Sequence, residues 1–242
     1  MKIAFFGASH GVPEKGRRCS CILVEVGENR YFIDMGTNAI EQLRDRDIPV
    51  ESVKGIFITH MHGDHTNGLI SFIDVCNWFF VDANPTIILP PPMDKAIEII
   101  KAWLNCNHYP NVRYFDFREV KEGVCFDDGI LKVTSYRTSH RAQSFSYLLE
   151  AEGKRVFFSG DMGSPQKDID MKILEKPLDL AICEVAHFPA TDYLPLFENN
   201  KNLKKLCFNH YPEEDYADSI KEVKEKLDCE VCVAIDGMEF YL

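Results

Sequence analysis

Strands and helices alternate in short units along the chain, which is the pattern of an α/β protein. Most apolar runs are four to six residues long, the usual length of a strand. Residues 27–29 are Gly-Glu-Asn, of types that favour turns, and they lie between two such runs, which predicts a hairpin. The predicted strands cover residues 3–6, 21–26, 31–34, 55–59, 86–89, 130–136, 156–158, 178–184, 206–209 and 231–235, with a closing strand within 237–241.

Longer segments between these runs have the composition of helices. Asn38 is suited to cap a helix that ends before Pro49. The segment 69–80 is apolar on nearly every side, which predicts a fully buried helix. A helix over 93–105 follows three prolines, and another follows Pro212, with acidic residues in its first turn and lysines later, as the helix dipole favours.

The chain has 242 residues, 45% of them hydrophobic, and no stretch with the composition of a linker. It can bury a full core, so we expect a single domain over residues 1–242. The first apolar run, 3–6, is too short for the apolar region of a signal peptide. The longest apolar segment, 68–81, contains Asp74 and Asn77 and is shorter than a membrane span. We therefore expect a cytoplasmic protein without a membrane partner.

Nine cysteines are scattered mostly within predicted strands and helices. In a cytoplasmic protein they are expected to stay reduced. Cys229 and Cys232 have Cys-x-x-Cys spacing, but they enter a predicted strand, which would place them on opposite faces. Cys19 and Cys21 alone cannot complete a tetrahedral metal site. We interpret all nine as small buried hydrophobic residues.

The formal net charge is −11, from 27 basic and 38 acidic residues. A field of this sign repels polyanions, and proteins that hold folded RNA normally present a basic face. The basic residues are dispersed, with one cluster outside predicted helices at residues 15–18. We therefore expect a small-molecule substrate and no long nucleic acid. A small phosphodiester remains compatible with this charge.

One hexapeptide places four candidate metal ligands within six positions: His60-Met61-His62-Gly63-Asp64-His65. His60 and His62 are two apart, so at the end of a strand both imidazoles leave the same face and can bind one ion. Asp64 and His65 follow where the chain turns and can point at a second ion. Imidazole with carboxylate, and no thiolate, suits zinc, iron or manganese better than copper(I) or calcium.

This hexapeptide resembles the first metal motif of the metallo-β-lactamase superfamily, His-x-His-x-Asp-His. Three further residues, each after a predicted strand, are similar in order to the remaining ligands of that superfamily: His140, Asp161 and His210. The resemblance implies an αββα sandwich, with two mixed sheets face to face, helices outside and two divalent metal ions at one edge. It also implies the ligand sets, with a first metal on His60, His62 and His140, a second on Asp64, His65 and His210, and Asp161 bridging both.

The same resemblance implies a hydrolase. Two ions ~3.5–4 Å apart share a water and lower its pKa towards ~7, which gives a metal-bound hydroxide at neutral pH. The di-iron branch that reduces oxygen has a carboxylate at the position of His62, and true β-lactamases have a thiol at the position of Asp161. The sequence is therefore more similar to the phosphodiesterase, glyoxalase II and lactonase branches.

Three further segments are similar to ribonuclease Z and its phosphodiesterase relatives: residues 6–13 with 17–19, the turn at 34–36, and residues 184–187. The sequence lacks the long insertion rich in glycine and basic residues with which ribonuclease Z holds tRNA. It also lacks that enzyme's His-Ser-Thr element, because the interval from Glu184 to His210 is short and contains only His187. Hydrolysis of a small phosphodiester is accordingly the expected activity.

The candidate catalytic residues are Asp64, within the metal motif, and His187. His187 follows the predicted strand 178–184 at the edge where the metals are expected, and it is placed to protonate a leaving group. His10, Arg17 and Arg18 lie in the first loop, and contact with substrate stays open for them.

Several alternatives also stay open. A thioester or lactone hydrolase would use the same hydroxide on carbon, and a tRNA 3′-end endonuclease would use it on RNA. A metal-binding scaffold without catalysis is a further alternative, although an intact ligand set argues against it. The sequence leaves a homodimer open.

Overall fold

The computed structural model of this chain describes four ranges of residues: 1–106, 115–141, 143–212 and 217–242. The acidic first turn predicted after Pro212 lies outside these ranges.

Fourteen strands among the described residues form two mixed sheets of seven strands each. The first sheet contains β1 (Lys2–Gly7), β2 (Cys21–Val26), β3 (Asn29–Ile33), β4 (Val53–Phe57), β5 (Thr86–Leu89), β6 (Asp116–Glu119) and β14 (Glu239–Tyr241). Their spatial order is β14-β1-β2-β3-β4-β5-β6. The pairs from β14 to β3 are antiparallel, and those from β3 to β6 are parallel.

The second sheet repeats this plan. It contains β7 (Gly123–Asp127), β8 (Lys132–Thr138), β9 (Ser144–Ala151), β10 (Lys154–Phe158), β11 (Leu180–Glu184), β12 (Lys205–Asn209) and β13 (Glu230–Val233). The spatial order is β13-β12-β11-β10-β9-β8-β7, antiparallel from β7 to β10 and parallel from β10 to β13.

Helices cover the outer faces of both sheets. They are α1 (Ala39–Asp45), α2 (Gly63–Trp78), α3 (Met93–Cys106), α4 (Pro165–Asp168), α5 (Leu194–Phe197) and α6 (Ala217–Lys226). Helices α1 to α3 share an apolar cluster with the first sheet, and α5 and α6 share one with the second. A third cluster lies between the sheets. The predicted αββα sandwich of the metallo-β-lactamase fold is therefore confirmed.

The alternation of side chains along β1 shows how one strand serves two cores. Ile3 and Phe5 point into the cluster between the sheets. Ala4 and Phe6 point the other way, into the cluster with α1 to α3. Because both faces of the sheet are covered, the strand reads as a continuous apolar run.

Helix α2 differs from its prediction in two respects. It begins at Gly63 and not near residue 69, so Asp64 and His65 lie in its first turn and not in a loop. It is also not buried all round, because Trp78 and the following Phe79 are 53% and 61% exposed. One face packs on the first sheet, and apolar residues on other faces remain at the surface. Composition alone did not separate these two environments.

The carboxyl ends of several strands meet at one edge of the sandwich. Strands β8 and β10 are both antiparallel to β9, and β10, β11 and β12 are parallel, so all four end on the same side. The end of β4 is held at this edge by β9. The Phe145 N–H donates to the carbonyl oxygen of Thr59 (3.0 Å), and the Tyr147 hydroxyl donates to that of Ile58 (2.8 Å).

All nine cysteines are unbridged thiols. Cys106 is exposed and several others are half-buried, so the prediction that all nine are buried was wrong in part. Within the described ranges, no helix is both long and apolar enough to cross a membrane.

Candidate metal centre

The hexapeptide 60–65 forms the junction between β4 and α2. His60 follows the buried Thr59 and is itself 2% exposed. His62 is the N-cap of α2 with an extended backbone, yet its side chain makes no capping hydrogen bond. Its imidazole turns instead towards His60, with Nδ1 of His62 only 2.9 Å from Nε2 of His60. Two imidazoles are thus brought together at the end of one strand, as the spacing predicted.

The remaining predicted ligands arrive from the second sheet. His140 follows β8, Asp161 follows β10 and His210 follows β12. Gly160 makes the turn before Asp161 with φ +55°, and a Cβ there would lie 2.7 Å from the carbonyl oxygen of Phe145. Glycine therefore lets this turn pack closely enough to bring Asp161 under β4.

The seven candidate ligands form two groups, within each of which the ligand atoms lie within 4.8 Å of one another. The groups are His60, His62, His140 and Asp161, and Asp64, His65 and His210. The six other residues divide as the resemblance implied, and Asp161, the implied bridge, falls in the first group.

The Asp161 carboxylate lies between the two groups. Its Oδ2 is 3.6 Å from Nε2 of His60 and 3.8 Å from Nε2 of His140. Its Oδ1 is 3.4 Å from Nε2 of both His65 and His210. One oxygen thus faces each group, as expected for a ligand that bridges two ions.

Buried polar atoms without a hydrogen-bond partner test whether this site fits metal ions. Among the described residues these atoms include Nε2 of His65 and His140, Nδ1 of His210 and Oδ1 of Asp161. Each such atom costs about 1–3 kcal/mol when it is left unpaired. Cations between these side chains would satisfy most of them at once. The site therefore fits metal ions in both geometry and donor chemistry.

The protonation of the first group is also compatible with metal binding. Burial, together with the charge of neighbouring His65, lowers the pKa of His60 to about 2. Burial likewise lowers the pKa of His140 to about 4. Both imidazoles are therefore neutral at physiological pH, and a neutral imidazole is the form that binds metals.

Asp34 supports the second group from behind. It lies at the end of β3 in a left-handed conformation, with φ +57°. Its Oδ2 lies 2.7 Å from Nδ1 of His65, and its Oδ1 accepts the backbone N–H of Thr59 (2.8 Å). Burial opposes a charge on His65, but Asp34 and Asp161 raise its pKa overall. The field that favours a proton on this ring also favours a metal cation at Nε2.

His187 lies at the open side of the centre. Its Nδ1 is 2.8 Å from Oε2 of Glu184, and its Nε2 is 4.0 Å from Oδ2 of Asp161. Glu184 is 1% exposed and also accepts the N–H groups of Met162 and Ala186. The hydrogen bond that the Glu184 carboxylate accepts raises the pKa of His187, although burial opposes it. The structure therefore brings His187 to the centre, while its role as an acid stays a prediction.

The first loop lies over Asp64. A Cβ at Gly11 would be 3.4 Å from Asp64 Oδ2. Arg17 donates to the carbonyl oxygens of Ala8 (3.2 Å) and Tyr211 (3.1 Å), and its guanidinium stacks on the Tyr211 ring. The Ala8 carbonyl also accepts the backbone N–H of His210 (3.0 Å). Arg17 is thus occupied in fixing the loop around a candidate ligand.

Arg18 and His10 lie in the same loop, and the sequence left their contact with substrate open. The side chain of Arg18 is 51% exposed, and its Nη1 lies 3.4 Å from Oδ2 of Asp236. His10 is half-buried, 3.8 Å from Glu14.

Sequence reasoning missed two carboxylates that position ligands. The turn at 34–36 marked a family likeness, but nothing in it showed that Asp34 reaches His65. Nothing in the sequence pattern marked Asp168. It accepts the backbone N–H of Ser139 (2.9 Å) and of Gly163 (2.8 Å), and so ties together the segments that carry His140 and Asp161.

A family model described as anti-Pycsar protein Apyc1 matches residues 1–226. Among curated proteins, ribonuclease Z of Crocosphaera subtropica is 29% identical over 157 residues, 64% of this chain and 49% of that protein. Ribonuclease Z of Thermosynechococcus vestitus is 31% identical over 157 residues, 64% of this chain and 38% of that protein. The chain thus matches about half or less of the length of these relatives.

Solved structures share the fold at low identity. The metallo-β-lactamase fold protein YhfI from Bacillus subtilis superposes with a TM-score of 0.80 at 16% identity, covering 99% of both chains. The short form of human tRNase Z gives 0.76 at 18% identity, covering 100% of this chain and 99% of the other. A diphosphatase of the PhnP family gives 0.74 at 15% identity, covering 100% and 97%.

Proposed function

The chain belongs to the family of the anti-Pycsar protein Apyc1, and from that membership we propose that it is a metal-dependent phosphodiesterase that hydrolyses small cyclic nucleotides. Hydrolysis of cyclic nucleotide signals is the activity associated with that family. A cyclic nucleotide is a small phosphodiester, the substrate class expected from the sequence.

The observation that carries the proposal is the position of the Asp161 carboxylate between two groups of ligands. One oxygen faces His60 and His140, and the other faces His65 and His210. A carboxylate shared in this way supports two ions close enough to act on one phosphate.

We propose that His60, His62 and His140 hold one ion, that Asp64, His65 and His210 hold the other, and that Asp161 touches both. Bound there, two divalent ions would activate a water and neutralise the negative charge that develops on the phosphate. Donors of this kind fit zinc, manganese or iron.

The chain's own residues orient the ligands and handle the proton of the leaving group. The reaction breaks one P–O bond of the cyclic phosphate and forms one P–O bond to the oxygen of water, so the leaving ribose oxygen must gain a proton. His187 is the proposed donor, because Glu184 holds its Nδ1 and leaves Nε2 facing the centre. Its raised pKa keeps this ring protonated at a higher pH than an ordinary imidazole.

A small substrate is preferred to a tRNA because of charge and size. The net charge of −11 opposes the approach of a polyanion. The part matched by this chain is 49% of one ribonuclease Z relative and 38% of the other, so their activity is not carried over to it.

A substrate panel with metal-reconstituted protein tests the proposal. The panel contains 3′,5′-cyclic nucleotides, precursor tRNA, a thioester and a lactone. We expect metal-dependent hydrolysis of the cyclic nucleotides, inhibition by inorganic phosphate, and loss of activity in Asp161→Asn. If the protein cleaved the thioester or the lactone but not the cyclic nucleotides, the proposed phosphodiester substrate would be wrong. Cleavage of precursor tRNA alone would indicate a ribonuclease.

A further inference from the structure

A groove lies between α2 and α3, and its lining includes Met61, the residue between the candidate ligands His60 and His62. Its volume is about 500 Å³, within the range of small-molecule sites. We define the α2–α3 groove by six of the residues that line it: Met61, Thr66, Asn67, Ile70, Ile99 and Trp103.

We propose that the α2–α3 groove binds the nucleobase of the substrate, with Trp103 as the surface on which the base stacks. This inference rests on the proposed function, because it takes the substrate of the metal centre to be a nucleotide.

The lining of the groove adjoins the candidate ligands in sequence. Met61 lies between the candidate ligands His60 and His62, and its side chain is one wall of the groove. Thr66, one residue after His65, donates a hydrogen bond from its hydroxyl to the carbonyl oxygen of His62 (2.9 Å). The groove therefore begins at the ligand loop itself.

The length of the groove suits a nucleoside. Its lining positions on α2 run from Thr66 to Asp74, eight residue steps, which corresponds to about 12 Å along the helix axis. A ribose ring and a base can lie end to end over this distance when the phosphate is at the metal centre. The phosphate would then mark one end of the substrate and the groove the other.

The walls have the chemistry of a base site. Met61, Ile99 and Trp103 are 44%, 63% and 58% exposed, so three large apolar side chains face solvent in one place. Aromatic side chains stack on any base, because every base has a flat apolar face. Asn67 adds an amide at the end near the ligands, where its Oδ1 would be 3.0 Å from a Cβ at Gly63. An apolar wall with a few polar groups is typical of a small-molecule site.

A base-free substrate separates this proposal from the proposed function. The 3′,5′-cyclic phosphate of 1-O-methylribose has the sugar and phosphate of a cyclic nucleotide and no base. We expect Trp103→Ala to lower kcat/KM for cyclic AMP and cyclic CMP on the order of 10-fold, mainly through KM, and to leave hydrolysis of the base-free compound unchanged. Trp78→Ala is the matched control, because Trp78 is also about half exposed but lines a different cavity on α2.

A binding experiment covers the case in which no hydrolysis is seen. The chain has two tryptophans, so Trp78→Phe leaves Trp103 as the one fluorescent indole. Adenosine and cytidine should quench Trp103 in this variant, and they should leave Trp78 unchanged in Trp103→Phe. Absence of hydrolysis with quenching of Trp103 would refute the phosphodiesterase and keep the base site.

Three results would overturn the base site. One is the absence of nucleoside quenching at Trp103. A second is an equal loss on cyclic nucleotides and on the base-free compound in Trp103→Ala. The third is a change from dimer to monomer in that variant by sedimentation, together with unchanged nucleotide binding, which would assign the groove to an interface between two copies of the chain.

Discussion

Two buried aspartates lie near opposite ends of β10 and β11, and they are held in very different ways. Asp179 is 8% exposed and precedes β11. It accepts the backbone N–H of Arg155 (2.9 Å) and the ammonium group of Lys204 (2.7 Å). Asp161 is 2% exposed and follows β10, and its Oδ1 has no hydrogen-bond donor among the described residues.

The difference separates a structural carboxylate from one arranged for a ligand. The fold itself supplies the donors and cations that Asp179 needs. Around Asp161 it supplies mainly imidazoles, whose nitrogen atoms are themselves unpaired in three cases. A buried charge left in this state is costly unless a cation completes it. The unpaired buried atoms of the candidate metal centre therefore destabilise the metal-free protein, and bound ions would remove this cost.

The largest effect is expected for Asp161→Asn. Removing a direct, shared ligand should lower metal content below one ion per chain and reduce hydrolysis by more than roughly 10³-fold, since loss of a supporting partner alone costs ~10–100-fold. Metal-free protein should keep its melting temperature or gain stability, because an unpaired buried charge is removed. Elemental analysis and thermal unfolding with and without chelator measure both effects. A large loss of stability in the metal-free variant would show that Asp161 is structural, like Asp179.

His187→Ala should have the next largest effect, and one that depends on the leaving group. Cyclic nucleotides, which release an alkoxide, should lose on the order of 10²–10⁴-fold in kcat. Bis(p-nitrophenyl) phosphate should lose little, because p-nitrophenolate leaves without a proton. An equal loss of kcat on both substrates would show that His187 is not the general acid and acts only as a positioning residue.

Asp34→Asn should weaken the second ion site selectively. Its carboxylate lies 2.7 Å from Nδ1 of His65, and loss of such a partner costs about 10–100-fold in metal affinity. Competition with a chelator should show one weakened and one unchanged ion per chain. Equal weakening of both ions, or of neither, would contradict the division of the ligands into two groups.

The smallest effect on function is expected for Asp179→Asn. Metal content and activity should be unchanged, while the free energy of unfolding at pH 7 should fall by about 1–3 kcal/mol because buried hydrogen bonds are lost. Burial opposes ionisation, but the bonds from Lys204 and Arg155 lower the pKa of Asp179 overall. This stabilisation is present above the ordinary value of 3.8 and is lost as the pH falls through the lowered pKa.

Denaturant unfolding of wild type and Asp179→Asn from pH 7 to pH 3 measures this difference. The difference in the free energy of unfolding between the two proteins should decrease only in the acid part of that range. A difference in the free energy of unfolding that does not change with pH would show that the charge of Asp179 contributes nothing to stability. Loss of metal from Asp179→Asn would contradict the assignment of Asp179 to a purely structural role.

The candidate ligands could be predicted because each follows a strand that is visible as an apolar run or, for β8, as an alternation of apolar and polar residues. The hexapeptide follows β4, and His140, Asp161 and His210 follow β8, β10 and β12. Strands β6, β7 and β9 were not predicted. Most of β6 is exposed and has no apolar run, and β9 is interrupted by the buried serines Ser144 and Ser146, which hydrogen-bond within the sheet.

The supporting residues could not be predicted because their partners are distant in sequence. Asp34 and His65 are 31 positions apart, and Asp168 and Ser139 are 29 apart. The exposed apolar face of α2 was missed for a different reason. Composition records that Trp78 and Ile70 are apolar, but it does not record which of them another element covers.

Titration of metal-free protein with Zn²⁺ or Mn²⁺, with bound metal and hydrolysis of cyclic AMP followed in the same samples, tests the central claim most directly. A dinuclear centre bridged by Asp161 predicts two bound ions per chain and hydrolysis that reaches its plateau at the second equivalent. A plateau at one equivalent, or two bound ions with inert cyclic AMP, would contradict it.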